Sequence, residues 1–222
     1  MLSSEFGPSP ARYHNDDSTI AAPLSFRGGT PPNLARRRAL ADGALRVLAA
    51  SGLHGFSHRA VDAAAELPAG TASNYFASRD ALLSAAAERV LELHEEDMAA
   101  AHGLIAGPID REGLIGLMAM SLEFSAKLHR DRYLAIYELT LEAVRRPPLQ
   151  RTLDTMRDAA VDFTHAQHQA LGLGTSREDV ATLITLFGGA LFTLVTGQAG
   201  AVDAATAGAL ARTMVAGIGS LG

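Results

Sequence analysis

The stretch from Ser57 to Leu83, SHRAVDAAAELPAGTASNYFASRDALL, constrains this chain more than any other. It reads as a short helix, a tight turn at Glu66-Leu67-Pro68, a second short helix rich in small polar residues, and the start of a long helix. Ser57 is placed to cap the first helix, whose buried side would be Ala60, Val61 and Ala64. Pro68 suits the first turn of the second, where its missing N–H costs nothing. Ser78 caps the long helix, and Asp80 in its first turn is favoured by the helix dipole. Two short helices joined this closely can expose one while the other buries its apolar side. That is the layout of a helix-turn-helix, whose second helix enters the major groove of DNA.

The remainder reads as helix throughout. From Asn33, the residues Leu40, Ala44, Val47, Leu48 and Ser51 share one face, with Gly52 as a C-terminal stop. Leu83, Ala87, Val90, Leu91, His94 and Met98 carry a stripe along the long helix towards Gly103. Further helical stretches follow Gly107-Pro108, at roughly 110–128, 131–146, 149–171, 177–196 and 203–219. Pro147-Pro148, Gly172-Leu173-Gly174 and the Gly197–Gly200 region separate them. Hydrophobic residues make up 48% of the chain, largely Ala and Leu, and no strand-like alternation occurs. The expected fold is all-α with about nine helices. Residues 1 to 32 hold Pro8, Pro10, Pro23, Pro31 and Pro32 without any period and read as a disordered tail. Arg27, near its end, either touches a phosphate or belongs to a passive arm.

Charge is unevenly placed. Between Asn33 and Arg79 six arginines face three acids, a balance of +3, whereas residues 80–222 carry −7 within an overall −5. A basic segment beside an acidic body suits nucleic-acid contact confined to one part of the molecule. Arg36, Arg37 and Arg38 crowd the first helix turns against the dipole, serving either a phosphate backbone or solubility. There is no cysteine, hence no disulfide framework or thiolate site. No charge-free apolar run reaches the ~18 residues a bilayer span needs, and the start lacks a secretory signal pattern, so the expected location is cytoplasmic with no membrane contact. Glycine-rich phosphate loops, GxSxG elbows and HExxH motifs are all missing, which argues against an enzyme; no catalytic residue and no cofactor are expected. His165 and His168 with Asp162, and His94 with Glu95 and Asp97, are read as solvated helix faces rather than metal sites, each lacking a defined third ligand.

With these residues in view, LARRRALADGALRVLAASGLHGFSHRAVDAAAELPAGTASNYFASRDALL resembles the N-terminal DNA-binding domain of the TetR family of bacterial repressors. Ala44-Leu45, Leu48 and Gly52 fit the first part of the family pattern. Gly70-Thr71, Tyr75-Phe76, Ser78-Arg79-Asp80 and Leu82-Leu83 fit the last. The resemblance implies a DNA-binding domain at 33–93, after the tail, and a helical effector-binding and dimerisation bundle at 94–222. It turns Ala69, Gly70, Thr71, Ser73, Asn74 and Tyr75 to the major groove, with Thr71 and Asn74 bonding base edges and Ala69 or the Thr71 methyl meeting a thymine methyl. Ser57, Arg59, Tyr75, Arg79 and the backbone amides at helix starts would take phosphates, and Phe76 would be core. Three departures stand out. Glu66 replaces the turn glycine, so the turn is expected to avoid a positive φ. Ser57 replaces a threonine, and Ser73 an aromatic residue, which removes one contact.

One short recognition helix reads few base pairs, so a near-palindromic operator and a homodimer are implied. The last two helices would pair with their copies through Ala181, Ile184, Gly188, Leu191, Phe192 and Val195, and through Ala207, Leu210, Ala211, Met214, Val215 and Ile218. The alternative is that these stripes are internal core. Between Asp110 and Leu171 the resemblance places a pocket for a small, apolar effector. Met118, Leu122, Tyr133, Tyr137, Phe163 and Gln167 are its expected lining, with Met120, Phe124, Met156, His165 and His168 as further members. The expected function is a ligand-responsive repressor that an effector releases from double-stranded DNA. The alternative is an all-helical, dimeric small-molecule-binding or interaction protein without specific DNA binding.

Overall fold

A computed structural model describes residues 32–102, 107–200 and 202–218, and among them there are nine helices and no strand. They are α1 (Pro32–Gly55), α2 (His58–Ala64), α3 (Thr71–Tyr75), α4 (Arg79–His102), α5 (Arg111–Leu128), α6 (Arg130–Ala143), α7 (Pro147–Ala170), α8 (Arg177–Val195) and α9 (Ala204–Ala216). The expected tail, with Arg27, lies outside the described residues except for Pro32, which opens α1. Gly52 does break α1: its φ of 57° and ψ of −165° kink the helix before a final turn to Gly55. Pro147 and Pro148 do not separate two helices but start α7, since the first turn needs no proline N–H. Asp110, Ser176 and Asp203 cap α5, α8 and α9 by accepting a backbone N–H, and Ser176 with Asp179 forms a capping box.

From Pro32 onward the helices enclose two hydrophobic cores. The first gathers Leu40, Ala44, Leu48, Val61, Ala72, Phe76, Leu82 and Leu83 from α1 to α4, and it also takes Ala135, Leu139 and Ala143 from α6. Those three are spaced by four, so one stripe of α6 faces this core. The second core holds Leu114, Met118 and Leu122 of α5, Leu183, Leu191 and Val195 of α8, and Ala211, Met214 and Val215 of α9. Tyr133, Leu134 and Tyr137 of α6 pack against it. Helix α6 therefore has a core on each flank, and its Glu138 carboxylate accepts the Leu53 backbone N–H at 3.1 Å, beside the α1 kink. Helices α1 and α2 meet so closely at Gly43 that an added Cβ would stand 2.9 Å from the Ala65 Cβ. Only glycine permits that crossing.

The apolar stripes of α8 and α9 correct the expected pairing surface. Leu191 and Val195, and Ala207, Ala211, Met214, Val215 and Ile218, are buried inside this chain. Helix α9 turns most of its stripe to α5 and the second core, with Leu210 half-buried. Of the expected α8 stripe Phe192 is exposed and Ala181, Ile184 and Gly188 are half-buried; Thr182, Thr185, Leu186 and Gly189 of α8, and Ala205, Ala209, Arg212, Thr213 and Ala216 of α9, are exposed beside them. Among the described residues α8 is long and apolar enough, by length and composition, to cross a membrane, with a mean hydropathy of 1.5 and 28% of that window buried. On sequence alone it is passed over because Thr182, Thr185, Gly188, Gly189 and Thr193 interrupt the apolar run from Val180 to Val195.

Candidate functional site

The helix-turn-helix forms where the sequence places it. Ser57 is extended, and its hydroxyl oxygen accepts the Ala60 N–H at 3.1 Å to begin α2. Helix α2 ends at a left-handed residue, and that residue is Glu66 with φ 56°. The expectation that a glutamate there avoids a positive φ is overturned. The turn closes through Glu66 N–H to the Ala63 carbonyl at 3.1 Å and Leu67 N–H to the Asp62 carbonyl at 2.9 Å, a pattern that needs the left-handed turn whatever the side chain. The strain is of order 1 kcal/mol.

Helix α3 follows from Gly70, itself left-handed at φ 89° and giving no side-chain cap. Asp62 of α2, 2% exposed, reaches across instead: its two carboxylate oxygens accept the Gly70 N–H at 2.7 Å and the Ala72 N–H at 2.6 Å. At the far end of α3 the His58 Nε2 donates to the Phe76 carbonyl at 2.9 Å. Phe76 is buried as expected, under Arg37, whose guanidinium lies 4.6 Å from the ring centroid.

Of the residues expected at DNA, Ala69, Gly70, Ser73 and Asn74 are exposed together, and Thr71 and Tyr75 are half-buried. The Thr71 hydroxyl donates back to the Pro68 carbonyl at 2.5 Å, which leaves it acceptor capacity only. Ser57 and Arg59 are exposed, and neither Arg59 nor Arg36 has an ion-pair partner among the described residues. Arg79 departs from expectation. It is half-buried and donates to the Leu53 carbonyl at 2.5 Å, with its guanidinium 5.8 Å from the Phe56 ring, so it braces α4 against the end of α1 instead of reaching outward. The helix-start amides depart too: those of Gly70 and Ala72 are taken by Asp62, that of Ala60 by Ser57 and that of Ala81 by Ser78. Arg37 and Arg38 pair with Glu88 and Glu92 of α4 at 4.0 and 3.2 Å. Sequence reasoning missed Asp62, His58 and Arg46, whose guanidinium bonds the Ala64 carbonyl at the end of α2. The available signal was a carboxylate at position 62, next to Val61 on the side of α2 that had to be buried.

Residues 109–219 match the family described as Tetracyclin repressor-like, C-terminal domain, which takes in half of the chain. The chain is a member of the TetR family of transcriptional regulators. Comparison with solved structures agrees. The multidrug binding protein EbrR complexed with ethidium is 26% identical with a TM-score of 0.63, over 81% of this chain and 98% of that one. A TetR-family member from Streptomyces coelicolor A3, SCO1917, is 27% identical with a TM-score of 0.62, over 83% and 98%. A regulator from Saccharomonospora viridis in complex with choline shares the fold at 17% identity and a TM-score of 0.65, over 83% and 97%. Among curated proteins there is no match.

In the body of this regulator the residues expected to line an effector site divide. Met118, Leu122, Tyr133 and Tyr137 come together in the second core. Tyr137 donates its hydroxyl to the Gly188 carbonyl at 2.9 Å and sets its ring edge-on to Phe192, with centroids 5.0 Å apart. Tyr133 accepts from the Ser125 hydroxyl at 3.4 Å. Burial pushes both phenols above their usual range, so both stay neutral hydroxyls. Phe163 and Gln167 are half-buried on α7 and stand outside that cluster. Met120 and Phe124 do not line it either, being 62% and 48% exposed, and Met156 packs on the first core. His168 is buried and bonded to the Thr175 hydroxyl at 2.9 Å, and burial holds its imidazole below the usual range. Asp162 pairs with Arg177 at 2.7 Å and His165 with Gln169. A shallow cavity of about 490 Å³ lies between α1 and α2, and another of about 310 Å³ at the α5–α6 corner around His129. Neither is lined by the expected effector residues.

Proposed function

We propose that this TetR-family member is a dimeric DNA-binding repressor, released from a near-palindromic operator by a small apolar effector, acting in the cytoplasm. Residues 33–93 would read DNA, and 94–222 would bind the effector and pair the subunits. The observation that carries the reading is the joint exposure of Ala69, Gly70, Ser73 and Asn74 on a helix anchored underneath by Phe76. Asn74 offers both a donor and an acceptor to a base edge, and Thr71 an acceptor. Ser57, Arg59 and Tyr75 stand for phosphate contacts, with Arg36 as an added cation. The exposed faces of α8 and α9, rich in Ala, Gly and Thr beside Leu186 and Phe192, suit close helix packing against a second copy. The effector would act on the cluster around Met118, Leu122, Tyr133 and Tyr137, shifting the balance between two spacings of the reading heads. Phe163 and Gln167 would join that site only if α7 shifts towards it. EbrR was solved with ethidium and with proflavin, so these dyes are the first compounds to try.

The test is selection from a randomised duplex pool by the full-length protein, followed by titration over a salt series. Enrichment of a near-palindrome, with affinity falling steeply as salt rises, supports the reading. Asn74→Ala should then change which base is preferred, whereas Arg59→Ala should weaken all duplexes alike and flatten the salt slope by about 1 per subunit. Failure to enrich any duplex would return the chain to the alternative of a helical small-molecule-binding protein.

A further inference from the structure

We propose that Asp62 and His58 are positioning residues that fix the pose of the recognition helix, so that discrimination between DNA sequences depends on them; this rests on the DNA-binding reading above. Helix α3 is five residues long, far below the length at which a helix holds itself in water. It starts from Gly70, which gives no side-chain cap. Asp62 supplies that cap from the neighbouring helix, one carboxylate oxygen to each of two amides at the start of α3, and His58 holds the carbonyl at its end. Residues 58 and 62 are four apart and so share one face of α2. One face of α2 therefore holds both ends of α3.

Apolar burial alone would not do this. Ala72 and Phe76 keep α3 from lifting away, but hydrophobic contact is non-directional and leaves a one-turn helix free to slide and roll. Two directional anchors remove that freedom. Ser73 and Asn74 lie between them and are exposed, so the angle at which they meet a base edge is the angle the clamp sets. Hydrogen bonds to base edges demand that angle, whereas phosphates accept from flexible side chains in many poses. If α3 holds its reading pose only part of the time, apparent affinity for the preferred duplex falls by that fraction. Affinity for unrelated duplexes, which use phosphates alone, does not.

The test uses the full-length protein with Asp62→Asn. The carboxamide keeps the shape but offers one acceptor and one NH2 group, so one of the two amides meets a donor. Amide hydrogen exchange should accelerate roughly 10- to 100-fold at residues 70–76, with α1 and α4 little changed. Affinity for a duplex enriched by the unmodified chain should fall by a similar factor, while affinity for a scrambled duplex of equal composition changes less than about twofold. Unchanged exchange at 70–76, or equal loss on both duplexes, overturns the proposal. Should Asp62→Asn not fold, His58→Leu decides by the same two readouts, with the acceleration centred on residues 74–76. If the unmodified chain enriches no duplex, the DNA-binding reading fails, and exchange alone still decides whether the clamp holds α3.

Discussion

The reading segment and the body solve opposite problems. In α2 and α3 the helices are too short to be stable alone, and side chains from neighbouring elements satisfy their ends: Asp62 and His58 on α3, and Arg46 on the last carbonyl of α2. In α5, α8 and α9 each helix has thirteen residues or more, starts with its own cap and leaves one face uncovered. Short elements spend their polar groups on being held, and long ones leave a face exposed. The same contrast separates the two cores. The first is closed around Phe76, whereas the second contains two tyrosine hydroxyls among apolar neighbours.

Several measurements would break or sharpen this contrast. The largest effect is expected from Phe76→Ala, which empties the centre of the first core and should lower unfolding free energy by about 3–5 kcal/mol in a denaturant titration. A loss under about 1 kcal/mol would mean that the reading segment is not packed as described. Next, Leu186→Glu on the exposed side of α8, where leucine is 44% exposed, should convert the proposed dimer to monomer in sedimentation while leaving helical content intact. Operator affinity should fall about 100-fold with it, because the second half-site is no longer tethered. An unchanged mass would move the pairing surface elsewhere.

Acid should act on the body through histidine. Burial holds His94, His129 and His168 below the ordinary value of 6.5 in the folded chain. The unfolded chain then binds protons more readily than the folded one. The stability these groups contribute is complete above about pH 6.5 and is lost as pH falls through that value towards their folded pKa. Thermal midpoints should therefore drop between roughly pH 7.5 and 5.5, and His168→Gln should shrink the drop. A midpoint independent of pH in that window would contradict the buried placement. The smallest effect belongs to Glu66→Gly, which relieves a left-handed glutamate at the cost of a looser unfolded chain. A stabilisation of no more than about 1 kcal/mol is expected, and a loss larger than that would imply that the Glu66 side chain makes a contact worth more than the strain.

How far the chain could be read in advance follows the same division. Helix positions were legible because their apolar residues recur at helical spacing and because Ser57 and Ser78 mark starts. The exposed edge of α3 was legible because a motif of fixed spacing carries it. The inward turn of Arg79, the use of the helix-start amides by Asp62 and the left-handed Glu66 were not. The first two depend on which carbonyl or amide of another element stands opposite, and the third on the local turn that closes α2; a single helix period contains neither. The α8 and α9 faces failed for a related reason. Periodicity finds an apolar stripe, but Leu191 or Met214 would look the same whether its own chain or a second copy covers it.

One consequence follows from α6. A rod only fourteen residues long presents Tyr137 to one side and, at the very next position, Glu138 to the backbone of Leu53. A shift of α6 as a rigid rod would carry both positions together. Any displacement of α6 would therefore change both the Tyr137 contact with α8 and the Glu138 contact with the end of α1.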